Sequence, residues 1–254
     1  MSAKTDDQVI VSADGPVRIL RLNRPDKKNA LTDAMYDVLS QSIDSAAADS
    51  AVRCVMITGG TAAFTAGADL QDFLRTARGE TERFQAVRLL HALANAGKPL
   101  VAAVEGVAVG IGTTLLLHCD YAVAADNAHF QMPFVRLGLV PEAASSLLLP
   151  CLVGPRRAFE MLVMGRPFGA ADARAAGLVN EVVAAGAAEA AALTAAHEIA
   201  ALPAEAVALS RRLMRDPAAE VVKRMDEELA LFRQRLKSDE ARAAFEAFFS
   251  RKGD

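Results

Sequence analysis

The chain has 254 residues, of which 52% are hydrophobic, and its formal net charge is −3. This length suffices for one large α/β domain, and we expect one domain with a helical tail. Apolar runs are interrupted well before the roughly 18 residues of a membrane span, and no secretory signal is visible, so we expect a cytoplasmic protein without a membrane segment. The lack of a basic field and of Trp argues against nucleic-acid binding.

The first part of the chain predicts strands that alternate with helices. An Asp-Gly turn between two β-branched runs predicts a hairpin, and Thr32 has the character of a helix N-cap. The predicted elements are a hairpin at 9–22, a helix at 32–47, a strand at 52–58, a loop at 61–72, a helix at 81–96 and a strand at 100–104. This alternation predicts βαβ-like units.

The chain after residue 155 predicts helices, and no strand is evident from residue 203 onwards. The predicted helices are 155–164, 170–176, the alanine-rich 186–201, and almost all of 203–254. Because alanine has the highest helix propensity, we interpret 186–201 as a helix and not as a linker. The apolar stripes of the helical end either pack in the core or are buried only between subunits.

The segment 98–146 carries the residues that could perform chemistry. Gly106–Thr114 (GVAVGIGTT) lies between the apolar run 100–104 and the segment 115–118, which predicts a strand at 100–104, then a glycine-rich turn, then a helix. Since Gly110 and Gly112 lack a Cβ, another group can approach the backbone, and the N–H groups of the first helical turn favour an anion. Glu142, beside a proline in a second predicted strand-to-helix turn, supplies one carboxylate. An anion hole and a single acid or base are thereby predicted.

Several other site types are excluded by their missing motifs. The sequence contains no P-loop, no G-x-G-x-x-G, no zinc helix and no G-x-S-x-G. We expect no metal site, and we expect Cys54, Cys119 and Cys151 to be reduced and buried. What remains is an acyl group held by backbone donors, each worth ~3 kcal/mol to an enolate, and acted on by one carboxylate.

Four ordered motifs resemble the enoyl-CoA hydratase/isomerase (crotonase) superfamily. They are NRPDKKNAL at 23–31, AFTAGADL at 63–70, KPLVAAVEGVAVGIG at 98–112 and CDYAVAADNAHF at 119–130. The resemblance implies an α/β spiral of repeated ββα units in residues 1–200. It also implies a helical region at 201–254 for assembly into a homotrimer or hexamer, and an acyl-CoA thioester substrate. No cofactor is implied, because CoA is part of the substrate.

The same resemblance assigns roles to particular positions. The thioester oxygen would lie between the N–H groups of Ala68 and Ile111, and Lys28 would approach the phosphates. The implied substrate-binding residues are Lys28, Ala66, Gly67, Ala68, Asp69, Leu70, Gly110 and Ile111. Asp69 also fits a purely structural role as the acid that opens a helix, and Glu105 and Asp120 are interpreted as fold or solvated residues.

Departures from the hydratase pattern favour an isomerase. The positions of the two hydratase glutamates are Thr114 and Phe134, whereas LGLVPEAASS at 137–146 is similar to Δ3,Δ2-enoyl-CoA isomerases, whose single glutamate falls on Glu142. We therefore expect an enoyl-CoA isomerase of the fatty-acid β-oxidation type, with Glu142 as its base. The alternatives are a hydratase or a ring-isomerising relative, and a non-catalytic acyl-CoA-binding protein, for which Glu142 is not required. Glu142 itself also fits a structural role as a first-turn acid after Pro141.

Overall fold

The structure is a computed structural model that describes residues 8–77, 85–215 and 218–250. Its strands are β1 Val9–Asp14, β2 Val17–Leu22, β3 Cys54–Thr58, β4 Leu100–Val104, β5 Val107–Val109, β6 Tyr121–Ala125, β7 His129–Gln131, β8 Phe168–Gly169 and β9 Glu181–Val183. Its helices are α1 Asp33–Ala48, α2 Leu70–Ala77, α3 Ala86–Ala94, α4 Ile111–Thr114, α5 Ser145–Val153, α6 Pro155–Leu162, α7 Ala170–Ala175, α8 Ala188–Ala201, α9 Ala204–Met214, α10 Ala218–Leu236 and α11 Asp239–Ser250. The predicted α/β class is confirmed.

Two sheets organise the strands. The larger has the order β1-β2-β3-β4-β6-β9, in which β1 and β2 pair antiparallel and the other neighbours pair parallel. The smaller has the order β5-β7-β8. The hairpin and the Thr32 cap are as predicted, since Gly15 has a φ of 53° and Thr32 Oγ1 accepts the N–H of Met35.

Successive turns of the chain alternate between the two sheets, which produces a spiral. β4 and β6 lie in the larger sheet, and the strands that follow them, β5 and β7, pair in the smaller one. Single bridges from Thr65 to Ala108 and from Leu31 to Ala68 continue this second stack through the preceding turns. The repeated ββα units implied by the resemblance are therefore present, and they bring the loops of consecutive turns side by side.

The alanine-rich segment packs as a helix on the larger sheet. Ala188, Ala192, Ala196 and Ala200 are buried at a spacing of four residues against a sheet face that includes Val101. Small side chains at this spacing let the helix backbone lie close to the strands. The other sheet face belongs to the main core, which holds Val55 and Val104. Strands buried on both faces explain their continuous apolar runs.

Several expectations were wrong in detail. β5, β6, β7, β8 and β9 were not predicted, and Glu142 follows a 3-10 helix at Val135–Leu137 and not a strand. Cys54 is buried, but Cys119 is half-buried and Cys151 is exposed, because α5 turns one face outward. The helix expected at 81–96 is seen as α3, and residues 81–84 lie outside the described residues. The division of the chain at residue 200 stays a prediction.

None of the described helices is by itself long and apolar enough to span a membrane. One pair, α8 with α9, meets the length and composition criteria only when both are joined across their 108° bend.

Candidate active site

A cavity of about 550 Å³ lies where the spiral turns meet the helical end of the chain. Its volume falls in the range of small-molecule sites. The residues predicted for the site that line it are Lys28, Ala66, Gly67, Ala68, Leu70, Gly110, Ile111 and Glu142. Most of the other lining residues are apolar, among them Leu90, Val109, Phe134, Leu139, Leu229 and Phe232. The cavity thus brings together the predicted anion hole and the predicted carboxylate.

Asp69 is the one predicted site residue that is not part of the lining. Arg24 Nη1 donates to its Oδ2 at 2.6 Å, and the N–H of Gln71 donates to its Oδ1 at 3.0 Å. The carboxylate therefore caps α2 and pairs with the preceding loop. This is the structural alternative that the sequence left open for Asp69.

The N–H group of Ala68 is held free by its neighbours. The Leu31 N–H donates to Gly67 O at 2.8 Å, and the Asp69 N–H donates to Leu31 O at 2.9 Å. The backbone N–H of Ala68, which lies between these two residues, therefore points away from Leu31. Gly67 has a φ of 88°, and a Cβ there would lie 2.6 Å from Val109 O. Only glycine fits this close approach.

The N–H group of Ile111 opens the short helix α4. Gly110, with φ 56° and ψ −120°, precedes it in a backbone conformation that favours glycine. Within the described part of the chain, neither the Ala68 nor the Ile111 N–H donates to a protein acceptor. Thr65 joins the two loops, because its N–H donates to Val107 O and its carbonyl accepts the Val109 N–H, both at 3.0 Å. Two donors from adjacent spiral turns thereby reach one cavity.

Glu142 is the carboxyl group in this cavity. Its side chain lines the space while the residue is only 7% exposed, so it does not face bulk solvent. Thr114 Oγ1 donates a hydrogen bond of 2.5 Å to its Oε1. Burial raises the pKa of Glu142 to about 8, the Thr114 hydrogen bond lowers it, and the nearby Glu228 raises it further. Such a group exchanges its proton near neutral pH.

The turn that carries Glu142 is strained and well braced. Ala143 and Ala144 have φ values of 63° and 53°, a region that alanine rarely occupies. Ser145 Oγ donates to Glu142 O at 2.6 Å, and His118 Nε2 lies 2.8 Å from Ala143 O. Burial lowers the pKa of His118 to about 4, so the ring is neutral and its proton lies on Nε2, where it donates to that carbonyl.

The other two acids considered from the sequence have structural roles. Glu105 is buried and accepts the N–H groups of Gly186 at 3.0 Å and Ala188 at 3.3 Å, which caps α8. Asp120 pairs with Arg211 at 2.9 Å and Arg215 at 3.1 Å. Within the described ranges, no three His, Cys, Asp or Glu side chains are grouped so that they could hold a metal ion.

Sequence reasoning missed the contribution of the helical end. Leu229 and Phe232 of α10 and Ala244 and Ala247 of α11 line the cavity. Their spacing predicted only apolar helix faces, and no local signal says which surface such a face covers. The helices expected to serve assembly thus also close the chain's own cavity.

Comparison with known proteins gives the family. A sequence model of the enoyl-CoA hydratase/isomerase family matches residues 13–253. Enoyl-CoA delta isomerase 2 from Rattus norvegicus is 35% identical over 256 residues, which cover 98% of this chain and 65% of the rat protein. The chain therefore spans about two thirds of the length of that isomerase. The 2,3-dehydroadipyl-CoA hydratase from Escherichia coli (strain K12) is 38% identical over 175 residues, 69% of each chain.

The known structures agree with this result. The structure of OdaA from Pseudomonas aeruginosa superimposes with a TM-score of 0.92 at 44% identity, over 96% of this chain and 99% of that one. Because an isomerase and a hydratase match to a similar degree, the comparisons do not choose between these two reactions. The match over most of the sequence, together with the shared fold, means that the chain belongs to the enoyl-CoA hydratase/isomerase family.

Proposed function

We propose that the protein is an enoyl-CoA isomerase of the fatty-acid β-oxidation type, which converts a 3-enoyl-CoA to a trans-2-enoyl-CoA. The observation that carries this proposal is the lone carboxyl group of Glu142, buried against the cavity with a pKa raised to about 8. The residues at the two hydratase glutamate positions, Thr114 and Phe134, cannot exchange protons with substrate.

The reaction needs one group that removes and returns a proton. Deprotonated Glu142 takes the proton from C2, and the electron pair moves into the thioester to form a dienolate. The N–H groups of Ala68 and Ile111 hold the resulting oxyanion, at ~3 kcal/mol per donor. Protonated Glu142 then donates the same proton to C4, and the double bond moves to C2–C3. Because both protonation states are used in turn, a pKa near the working pH suits the task.

The rest of the cavity suits an acyl-CoA. Ala66, Gly67, Leu70 and Gly110 form a smooth wall beside the two donors, and the apolar side chains of α3 and α10 can hold the acyl chain. Lys28 is exposed at the cavity, where its ammonium group can meet a phosphate. The proposed reaction is redox-neutral, and CoA enters as part of the substrate, so no cofactor is required.

Water addition is disfavoured by the groups around Glu142. A hydratase must orient a water as well as move a proton, and a second carboxylate does this in the resembling hydratases. Here Thr114 donates a hydrogen bond to Glu142, and Phe134, which is 6% exposed, presents an aromatic ring. An apolar ring gives a water no hydrogen-bond partner.

Assembly into a trimer or hexamer is part of the proposal. α9 has no buried residue, and it exposes Leu209 (43%), Leu213 (75%) and Met214 (84%). An exposed apolar helix face of this kind is typical of a subunit interface. Sedimentation equilibrium is expected to give a multiple of three chains, and a monomer at micromolar concentration would contradict this part.

The reaction is tested by assaying 3-enoyl-CoA and 2-enoyl-CoA side by side, with C2 deuterium exchange from heavy water. The wild-type protein is expected to isomerise the first faster than it hydrates the second. Glu142→Gln is expected to lose at least about 100-fold in kcat. Glu227→Gln, which neutralises an exposed carboxylate on α10, serves as the matched control and should keep full activity.

Three results would contradict the proposal. Full turnover in Glu142→Gln would remove Glu142 as the base. Faster hydration than isomerisation would favour the hydratase. Acyl-CoA binding without C2 exchange would favour a protein that binds the thioester and does not transform it.

A further inference from the structure

A second buried carboxylate lies behind the turn that carries Glu142. Glu228 belongs to α10, on the side of the helix that faces the protein, and it is 5% exposed. The N–H of Ser146, in the first turn of α5, donates to its Oε1 at 2.9 Å. Within the described residues its Oε2 is buried without a hydrogen-bond partner. This side chain does not line the cavity, so the proposed chemistry gives it no direct role.

The turn needs support of this kind. Ala143 and Ala144 are held at positive φ between Glu142 and α5, and a relaxed turn would re-aim the Glu142 side chain. Glu228 fixes the helix side of the turn through Ser146. The neighbouring Met225 and Leu229 of α10 are buried in the same core cluster as the two alanines. The helix that carries Glu228 is thus itself locked in place.

Glu228 also affects the Glu142 carboxyl group electrostatically. Glu228 is the charged group that acts on the Glu142 carboxyl. Burial raises the pKa of Glu228 itself, whereas its hydrogen bonds to Ser146 and the charge of Arg224 lower it and so favour its charged form. The other charged side chains on the neighbouring helices α3 and α11 are paired elsewhere or exposed: His91 with Asp226, Arg88 with Asp37, Arg235 with Glu240, Arg242 with Asp239, and exposed Glu246. Arg75 of α2 is exposed as well, and α5 carries no carboxylate or cationic side chain.

We propose that Glu228 is a positioning residue for the Glu142 proton shuttle: from α10 it holds the turn that aims Glu142 into the cavity, and it places a negative charge behind that carboxyl group. The inference rests on the proposed function, because it gives Glu142 the role of the base. It makes the C-terminal helical region a working part of the site as well as a candidate assembly region.

Two substitutions separate the two effects of Glu228. Glu228→Gln removes the charge but keeps an oxygen that can accept the Ser146 N–H. Glu228→Ala removes the charge and the brace together. Glu220→Gln is the control, since it removes the same charge at an exposed position of α10 and leaves the ion pair between Arg224 and Glu227 intact.

The primary measurement does not depend on turnover. Carbon-13 NMR of protein labelled at the glutamate side-chain carboxyl carbon follows the titration of Glu142, and the signal is assigned by its loss in Glu142→Gln. In Glu228→Gln the Glu142 midpoint is expected to fall by about one pH unit, the size of shift that a neighbouring like charge commonly causes. Glu220→Gln should leave the midpoint unchanged.

Kinetics then test the positioning. In Glu228→Gln the midpoint of the acid limb of the kcat/KM profile for the 3-enoyl-CoA should shift to lower pH by the same amount, with KM unchanged. In Glu228→Ala kcat should fall on the order of 10- to 100-fold, the cost of a misplaced catalytic group, with a smaller change in KM. If Glu228→Ala fails to fold, as judged by circular dichroism, the Glu228→Gln titration still decides.

An unmoved Glu142 midpoint in Glu228→Gln overturns the inference, as does a Glu228→Ala enzyme with wild-type kcat. A moved midpoint in a protein that never isomerises 3-enoyl-CoA has a different meaning. It supports the coupling of the two carboxyl groups and overturns the proposed function. The two failures are therefore distinguishable.

Discussion

The hydroxyl group of Thr114 controls when Glu142 is able to act as a base. Thr114 is fully buried, and its one hydroxyl proton is directed at Glu142 Oε1. Thr114→Val replaces the hydroxyl with a methyl group of similar size, so it removes the hydrogen bond without opening a cavity. The Glu142 carboxylate then loses a donor that favours its charged form, and its pKa is expected to rise.

The size of the effect follows from the strength of the bond. A hydrogen bond to a charged group contributes about 1.5 to 3 kcal/mol, which corresponds to roughly one to two pKa units. Starting from a pKa of about 8, a rise of about 1.5 units lowers the deprotonated fraction at pH 7.5 from about a quarter to about one hundredth. The rate should therefore fall about 20-fold at pH 7.5 but only about twofold near pH 9.5.

The assay is the pH dependence of kcat/KM for 3-enoyl-CoA isomerisation between about pH 6 and 9.5, which reports the free enzyme. Thr114→Ser keeps the hydroxyl group and should retain the wild-type profile. A loss in Thr114→Val that is the same at every pH would refute the reasoning, because it would mean that Thr114 acts through geometry alone. A shift of the acid limb to lower pH would refute it as well.

Three further predictions concern stability and reactivity. Because folding raises the pKa of Glu142 from 4.5 to about 8, its contribution to stability decreases as pH rises through that window. In urea unfolding, the free energy of unfolding of Glu142→Gln should thus increase relative to that of the wild type by a few kcal/mol (~3) between pH 5 and 8. Gly67→Ala places a Cβ 2.6 Å from Val109 O at positive φ. It should cost about 1 to 3 kcal/mol and lower kcat, whereas Gly186→Ala, at a similar φ in open space, should leave kcat unchanged. Burial raises the pKa of Cys54 and Cys119 to about 12, but Cys119 is half-buried and Cys151 is exposed, so Ellman's reagent should label Cys151 fastest, Cys119 more slowly, and Cys54 only after unfolding.

The elements that sequence predicted well are those with a local cause. The Asp-Gly turn sets the β1–β2 hairpin, Thr32 caps α1 with its own side chain, and alanine propensity sets α8. Of the missed strands, β6 has five residues, and β5, β7, β8 and β9 have only two or three each. A strand that short is held by its partners across the sheet, and period-two alternation needs more residues to become visible.

The candidate site divides in the same way. The glycines before Ala68 and Ile111 could be recognised in the sequence as turns with free backbone donors. Gly67 and Gly110 both have positive φ, and Gly67 also lies close to Val109 O, which only glycine permits. Glu142 was found through its motif. Its partners Thr114 and Glu228 are 28 and more than 80 residues away, and the short-range pattern of the sequence does not encode which distant groups will meet. Cys151 illustrates the converse, since apolar neighbours in sequence did not bury it.

The strained turn shows why the catalytic geometry depends on the end of the chain. Two alanines at positive φ cost about 1 to 2 kcal/mol each, and glycine would remove most of that cost. Alanine, however, adds two methyl groups that are fully buried in the core cluster shared with Met225 and Leu229 of α10. Met225, Leu229 and the Glu228 carboxylate that holds Ser146 all belong to this helix. The direction of the Glu142 side chain thus depends on groups from distant parts of the chain: Thr114 and His118 from the centre, and Glu228 from α10 near the end.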